Sequence, residues 1–258
     1  MPRLQTRDYD WGLNANGEIS DYIRIPSWNP GNNAGLTLSV AGWAKPINSS
    51  VSHNMSSKFD YGNAKRSWHI AVNNGNVRVT LSDSGSGLTK RYESVKKIND
   101  YKYHFIGFTW DGNTDSLKIH IDNDYNTTVT KVLDVAMTNL FQSNADVMLA
   151  AVLQNTSPRA DWSGMLSAQW MYGDVLTLGE WNEMYFEGKY PTDDLEGHWD
   201  FQEGSGTTIN DLSGNGHTGT LNGLDWIENG GAFRLRDKAT NRTGASNRTT
   251  ATNRVPIS

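Results

Sequence analysis

The chain has 258 residues, no cysteine, 36% apolar residues and a formal net charge of −5. The missing cysteine excludes disulfides, thiolate zinc sites and a cysteine nucleophile, and the length suits a single large all-β sandwich. No apolar run approaches the roughly eighteen residues of a membrane span, and the start "MPRLQTRDYDWG" lacks the basic-then-apolar pattern of a secretory signal.

Period-two alternation then governs the chain. "LTLSVAGWAK" (36–45) sets Leu36, Leu38 and Val40 on one face with Thr37 and Ser39 opposite. "SWHIAVNNGNVRVTL" opposes Trp68, Ile70 and Val72 to Val77, Val79 and Leu81 across an Asn-Gly turn, a strong hairpin signal. "YKYHFIGFTWDG" and "SLKIHID" predict a second hairpin, with its turn opening at Asp111-Gly112. "DVMLAAV" and "GMLSAQWMYGDVL" read as further strands. One helix interrupts them in "TLGEWNEMYFEGKYP". Thr177 and Glu180 stand at capping-box spacing there, and Gly188 and Pro191 mark its stop. "WDFQEGSGTTINDLSGNGHTGTL" (199–221) predicts a closing strand, a glycine-rich corner and a returning strand.

Taken in order, "DYIRIP", "LTLSVAGWAKP", "WHIAVNNGNVRVTLSD", "KYHFIGFTWDGNTDSLKIHIDN", "WSGMLSAQWMYGDVLTLGEW" and the 199–221 element resemble laminin-G-like, concanavalin A-like jelly rolls. The likeness covers residues 19–226. It implies an antiparallel two-sheet jelly-roll sandwich with one short helix and extended terminal arms. In many relatives the Trp/Gly-rich element precedes the others; here it follows the helix, as though the strand order were permuted. We divide the chain into an N-terminal arm or first strand (1–18), a jelly roll (19–233, its last strands at 195–226) and a basic arm (234–258). A thirty-residue tail element cannot bury a core of its own, so the last strands belong to the same sandwich.

Chemistry is sparse. A glucanase needs paired carboxylates on one strand face, whereas Asp200 and Glu203 are three apart and would point oppositely. The six histidines are scattered singly, with no nucleophile elbow or H-x-x-x-H. No catalytic residue is assigned, and we expect no enzyme. The resemblance points to a structural calcium near Asp211 and Asn215, although Ser167 and Ala168 stand where relatives carry acidic partners. Capping of the turn by the same two side chains weighs more than metal. Trp28 and Trp162 lie in loop-like segments and are the candidate exposed aromatics for stacking on a sugar.

The end of the chain repeats A-[ST]-N-R-[TV]-x three times, aligning Arg242, Arg248 and Arg254 about 20 Å apart if extended. From Arg234 onward six basic residues meet one acid, leaving 17 basic against 27 acidic residues before it. A basic arm on an acidic body suits assembly with neighbouring subunits better than nucleic acid, and nothing suggests membrane insertion. The resulting expectation is a bacteriophage virion protein, made in the host cytoplasm and displayed on a capsid or tail. Its partners would be other virion subunits, itself included, and a host-surface glycan. The alternative is a secreted carbohydrate-binding module, and a glucanase-like enzyme ranks third.

Overall fold

The computed structural model describes residues 4–6, 10–30, 36–47 and 52–228, which form an all-β sandwich with one short helix. The first strands are β1 (Leu4–Thr6), β2 (Trp11–Asn16), β3 (Tyr22–Ile25), β4 (Thr37–Pro46) and β5 (Ser52–Asp60). The meander β6 (Lys65–Asn73), β7 (Asn76–Leu81) and β8 (Lys90–Lys97) follows, then β9 (His104–Asp111), β10 (Ser116–Ile121) and β11 (Val129–Asp134). Next come β12 (Val147–Leu149), β13 (Ala151–Gln154), β14 (Ser157–Ala160) and the long β15 (Ser163–Tyr172). After helix α1 (Leu178–Glu187) the chain ends in β16 (Lys189–Pro191), β17 (Leu195–Trp199), β18 (Thr208–Ile209), β19 (Gly219–Asn222) and β20 (Asp225–Glu228).

The smaller sheet runs β10-β9-β4-β15-β2-β20, with β17 beside the second half of β15. The larger runs β11-β8-β7-β6-β5-β12-β3-β19-β18, with the β13–β14 hairpin attached to β5. A two-stranded ribbon joins β1 to β16. Pairing is antiparallel except for the single contact of Leu153 with Asp60. The late strands are divided between the sheets: β17 and β20 enter the smaller, β18 and β19 the larger. Residues before 19 contribute two strands, so the stretch ahead of the expected jelly-roll start is built into the fold. The basic arm, with Arg242, Arg248 and Arg254, lies outside the described residues.

Alternation explains the core. Leu38 and Val40 of β4, Ile106 and Phe108 of β9, and Leu166 and Met171 of β15 meet Trp68, Ile70, Val77, Val79 and Leu81 of the facing sheet. Asn74 and Gly75 both take positive φ (50° and 84°), the geometry that the two-residue hairpin turn between β6 and β7 requires. The smaller sheet also has an apolar outer face: Ala41, Trp43, Phe105, Trp170 and Tyr172 are covered by Trp181 and Met184 of α1. Thr177 and Glu180 complete the capping box, and Gly188 ends the helix in the left-handed region at φ 62°.

One polar junction holds α1, β8 and the β9–β10 hairpin together. Trp181 Nε1 donates to the Asp122 carbonyl at 2.6 Å, and Phe105 N donates to Asp122 Oδ1 at 3.1 Å. His104 sits between two carboxylates, with Nδ1 2.9 Å from Asp122 Oδ2 and Nε2 2.8 Å from Asp100 Oδ1. Both ring nitrogens face acceptors, so the geometry calls for the imidazolium. Burial opposes that charge, but the hydrogen bonds to Asp122 and Asp100 outweigh it and raise the pKa above its ordinary 6.5. A raised folded pKa gives stability that is whole below about 6.5 and lost as pH rises through the folded value. Urea unfolding of the wild type should therefore show stability falling as pH climbs past neutrality. His104→Gln should flatten that limb, and an unchanged slope in the variant would remove His104 as its source.

Candidate functional site

The outer face of the larger sheet is built differently from that of the smaller. Strand pairing sets Ser57, His69, Thr80 and Arg91 in one lateral row across β5, β6, β7 and β8. The neighbouring row is Asn54, Ala71, Arg78 and Glu93. Alternation sends Trp68, Ile70, Val79, Leu81 and Tyr92 the other way, into the core. A register shift between Asn54 and Ser56 lets Asn54 and Ser57, three residues apart, share the outer face while Met55 enters the core.

Over these rows lies a cleft of about 290 Å³, floored by Asn54, His69, Arg78, Thr80 and Arg91. The β13–β14 hairpin supplies a wall with Val152, Gln154 and Arg159, which continues into Asp161, and Tyr61 stands at the rim. Asp60 fixes the wall to the floor. Its carboxylate accepts from Gly62 N at 3.1 Å and Asn63 Nδ2 at 2.8 Å in the turn after β5, and from Thr156 N at 3.0 Å in the hairpin. Gly62 is needed for this approach, because a β-carbon there would fall 1.7 Å from Asn155 Oδ1.

Each polar group in the cleft has a definable state. Asp161 Oδ1 accepts from Asn54 N at 3.1 Å and Asn54 Nδ2 at 2.6 Å, while burial pushes its pKa up against those bonds. Asn54 thus turns its Oδ1 toward His69, whose Nε2 is in hydrogen-bond contact with it. That contact makes Nε2 the protonated nitrogen and leaves Nδ1 a lone-pair acceptor, buried and without a partner. Burial first, then Arg78 and Arg91, lowers the His69 pKa to about 3, so the ring is neutral. Burial likewise raises the Tyr61 pKa despite the arginines near it, keeping the phenol a donor.

The three guanidiniums differ. Arg78 is held by Glu93, with Nη2 and Nε 2.7 and 2.8 Å from Oε1. Arg159 Nη1 donates to Gln154 Oε1 at 3.1 Å. Arg91 has no ion pair among the described residues, and its Nε is buried without an acceptor. None of these residues stands out in the sequence. "NVRVTL" and "KRYESV" show only the polar positions that any half-solvated strand carries. The one local signal is that Arg78, Thr80 and Arg91 fall on the parity opposite to the core residues.

No protein-family model matches the sequence, and no curated protein does. Solved structures do match the fold. A protein of Bacteroides ovatus, described only provisionally as carbohydrate binding, aligns with TM-score 0.64 and 11% identity over 86% of this chain. This chain spans 60% of that protein's length. A native heptameric SAP-like pentraxin of Limulus polyphemus matches at TM-score 0.53 and 13% identity, over 70% of this chain and 84% of its own. The CBM40 of the Ruminococcus gnavus IT-sialidase gives the same score and identity over 71% of this chain and 98% of its own. At such identities the likeness establishes the lectin-like jelly-roll fold.

The residues singled out from sequence gather elsewhere. Trp162 is wholly buried in the main core, so its expected exposure is corrected. It immediately precedes β15 and keeps the inward parity of Leu166, which sends the ring into the sandwich. Trp28 is half-buried, stacked on His217 with centroids 4.0 Å apart and tilted against Trp199 at 5.9 Å. It packs on the glycine-rich corner and lines no part of the cleft. Asp200 Oδ1 accepts from Gln202 N, and Glu203 Oε1 from Asn210 N and Nδ2.

In the corner, Asp211 Oδ1 accepts from His198 N and Ser213 N, and Oδ2 from Ser213 Oγ and His217 N, all at 2.8–3.1 Å. Burial raises its pKa, yet these donors outweigh burial and hold it low. Asn215 Nδ2 donates to the carbonyls of Leu195 and Glu196. Both side chains are engaged with the chain itself, as turn caps are. Asp211→Ala strands several donors and should cost about 1–3 kcal/mol. The melting loss should be equal in calcium and in chelator; a loss confined to calcium would assign the ion to this loop.

Proposed function

We propose that the protein is a non-enzymatic carbohydrate-binding module of the lectin-like jelly-roll type, with the cleft beneath the β13–β14 hairpin as its saccharide site. The observation that carries this reading is the lining. Hydroxyl, amide, imidazole and guanidinium groups converge from four neighbouring strands and one hairpin, with Tyr61 and Val152 as the apolar contribution. The volume stands at the small end of the roughly 300–1,000 Å³ typical of ligand pockets, which suits one or two sugar rings rather than a long chain. A sugar presents hydroxyls that both donate and accept, and this lining offers both kinds of partner. The fold relatives add support, two of them being described as carbohydrate binding or as a carbohydrate-binding module.

The basic repeat at Arg242, Arg248 and Arg254 favours a second reading, in which the module is displayed on a virion through that arm. The two readings are compatible, and co-purification with assembled particles tests the second.

Calorimetric titration with a panel of mono- to tetrasaccharides should find a binder. Gln154→Trp, which fills the cleft from its rim, and Tyr61→Ala should each weaken that binding about tenfold or more with melting little changed. Full binding in both variants would move the site elsewhere, and a panel without binders would sink the saccharide reading.

A further inference from the structure

The cleft has a chemical bias that a site for neutral sugars does not need. Three guanidiniums and one carboxylate line it, while the imidazole is held neutral. Two of the three guanidiniums have protein partners: Arg78 is neutralised by Glu93, and Arg159 is steadied by Gln154. Arg91 is left over. It stands on β8 directly across from Thr80 and one strand further from His69. A buried guanidinium N–H without an acceptor is costly, and folding gains nothing from keeping it. His69 lines the same cleft, with its unpartnered Nδ1, like Arg91 Nε, shielded from solvent. Arg91 is thus the guanidinium of this cleft that has no partner among the described residues.

Resting on the saccharide reading above, we infer that the cleft takes an acidic sugar, its carboxylate held by the terminal nitrogens of the Arg91 guanidinium. A planar carboxylate matches the fork of a guanidinium with two parallel N–H···O bonds, which a hydroxyl cannot do. Thr80, between His69 and Arg91 in the same row, and Tyr61, at the rim, supply further hydroxyls within the same cleft. Asp161 keeps its charge but lies in the field of Arg159, so three guanidiniums against Asp161 and Glu93 still leave one cation in surplus. Arg78 remains near enough to add field without being free to form the fork itself.

The test uses the whole chain and three matched pairs of probes. These are sialyllactose against lactose, trigalacturonate against its methyl ester, and a sulfated galactoside against its unsulfated parent. The acidic member of a carboxylate pair should bind about tenfold tighter or more than its neutral partner. Arg91→Gln should erase that difference, so that the acidic and neutral members of each carboxylate pair bind alike. Arg91→Lys should restore only part of it, since an ammonium keeps the charge and loses the fork. Melting curves of both variants confirm that the domain stays folded. Equal binding of acid and neutral partner in the cleft would overturn the inference and leave the saccharide reading standing. Preference for the sulfated probe over every carboxylate would overturn it as well, whereas no binding by any probe would remove both.

Discussion

A strand of period two carries one row of side chains to the core and another away from it, so packing two sheets leaves two outer rows to be accommodated. In this chain the rows differ in chemistry, and the difference organises everything else. The smaller sheet sends Trp43, Phe105, Trp170 and Tyr172 outward, and α1 must cover them with Trp181 and Met184. Across the β5–β8 strands the larger sheet sends out His69, Thr80, Arg78 and Arg91, which need water or a polar ligand. One side of the sandwich is closed by a helix, and the other is left polar and half-walled by a hairpin. The first arrangement stabilises. The second is available for recognition.

The parts legible in the sequence were those whose cause is local. Asn74-Gly75 dictates its hairpin because few other pairs accept two positive φ values in succession, and the Thr177–Glu180 box defines the helix start within four residues. The cleft was not legible because its cause is long-range. Asn54, His69, Thr80 and Arg91 meet only through three strand pairings, and the wall arrives from residues 152–161. Strands β5 and β8, which carry Asn54 and Arg91 of the floor, alternate weakly: "SHNMSSKFD" and "KRYESVKK" place polar residues on both faces. Lys90 is the extreme case, buried in "KRYESVKK" because Asp134 and Asp115 reach it at 2.7 and 3.1 Å. Trp162 misled for a related reason. Its neighbours in sequence are those of a loop, but its parity is that of the strand beginning one residue later.

The glycine-rich corner shows how much ordered polar structure the chain's own groups can build. Asp211 accepts from donors at residues 198, 213 and 217, Trp199 Nε1 donates to the His217 carbonyl at 2.9 Å, and Trp28 closes the stack on His217. The backbone groups that a tight corner exposes are satisfied from within, which is why so many small and oxygen-bearing residues are concentrated there. In the cleft the accounts are left open instead. Buried polar atoms with partners indicate architecture; the cleft instead keeps an arginine, Arg91, that no acid among the described residues pairs.

Electrostatics must reconcile an acidic body with a basic cleft. Before Arg234 the chain carries ten more acids than bases, so an acidic sugar approaching from a distance meets a repulsive field. At physiological ionic strength that field decays over about 8 Å, which is shorter than the span of the sheet. Near the cleft the sum is therefore set by the three guanidiniums, Asp161 and Glu93 rather than by the distant surface. Glu93 quenches Arg78, Asp161 lies in the field of Arg159, and Arg91 remains as the surplus charge. Arg91 is rooted in β8, an interior strand of a packed sheet, while Arg159 rides on the hairpin, so the unpartnered cation is also the more firmly based one. A preorganised cation on a strand loses little side-chain freedom on meeting an anion.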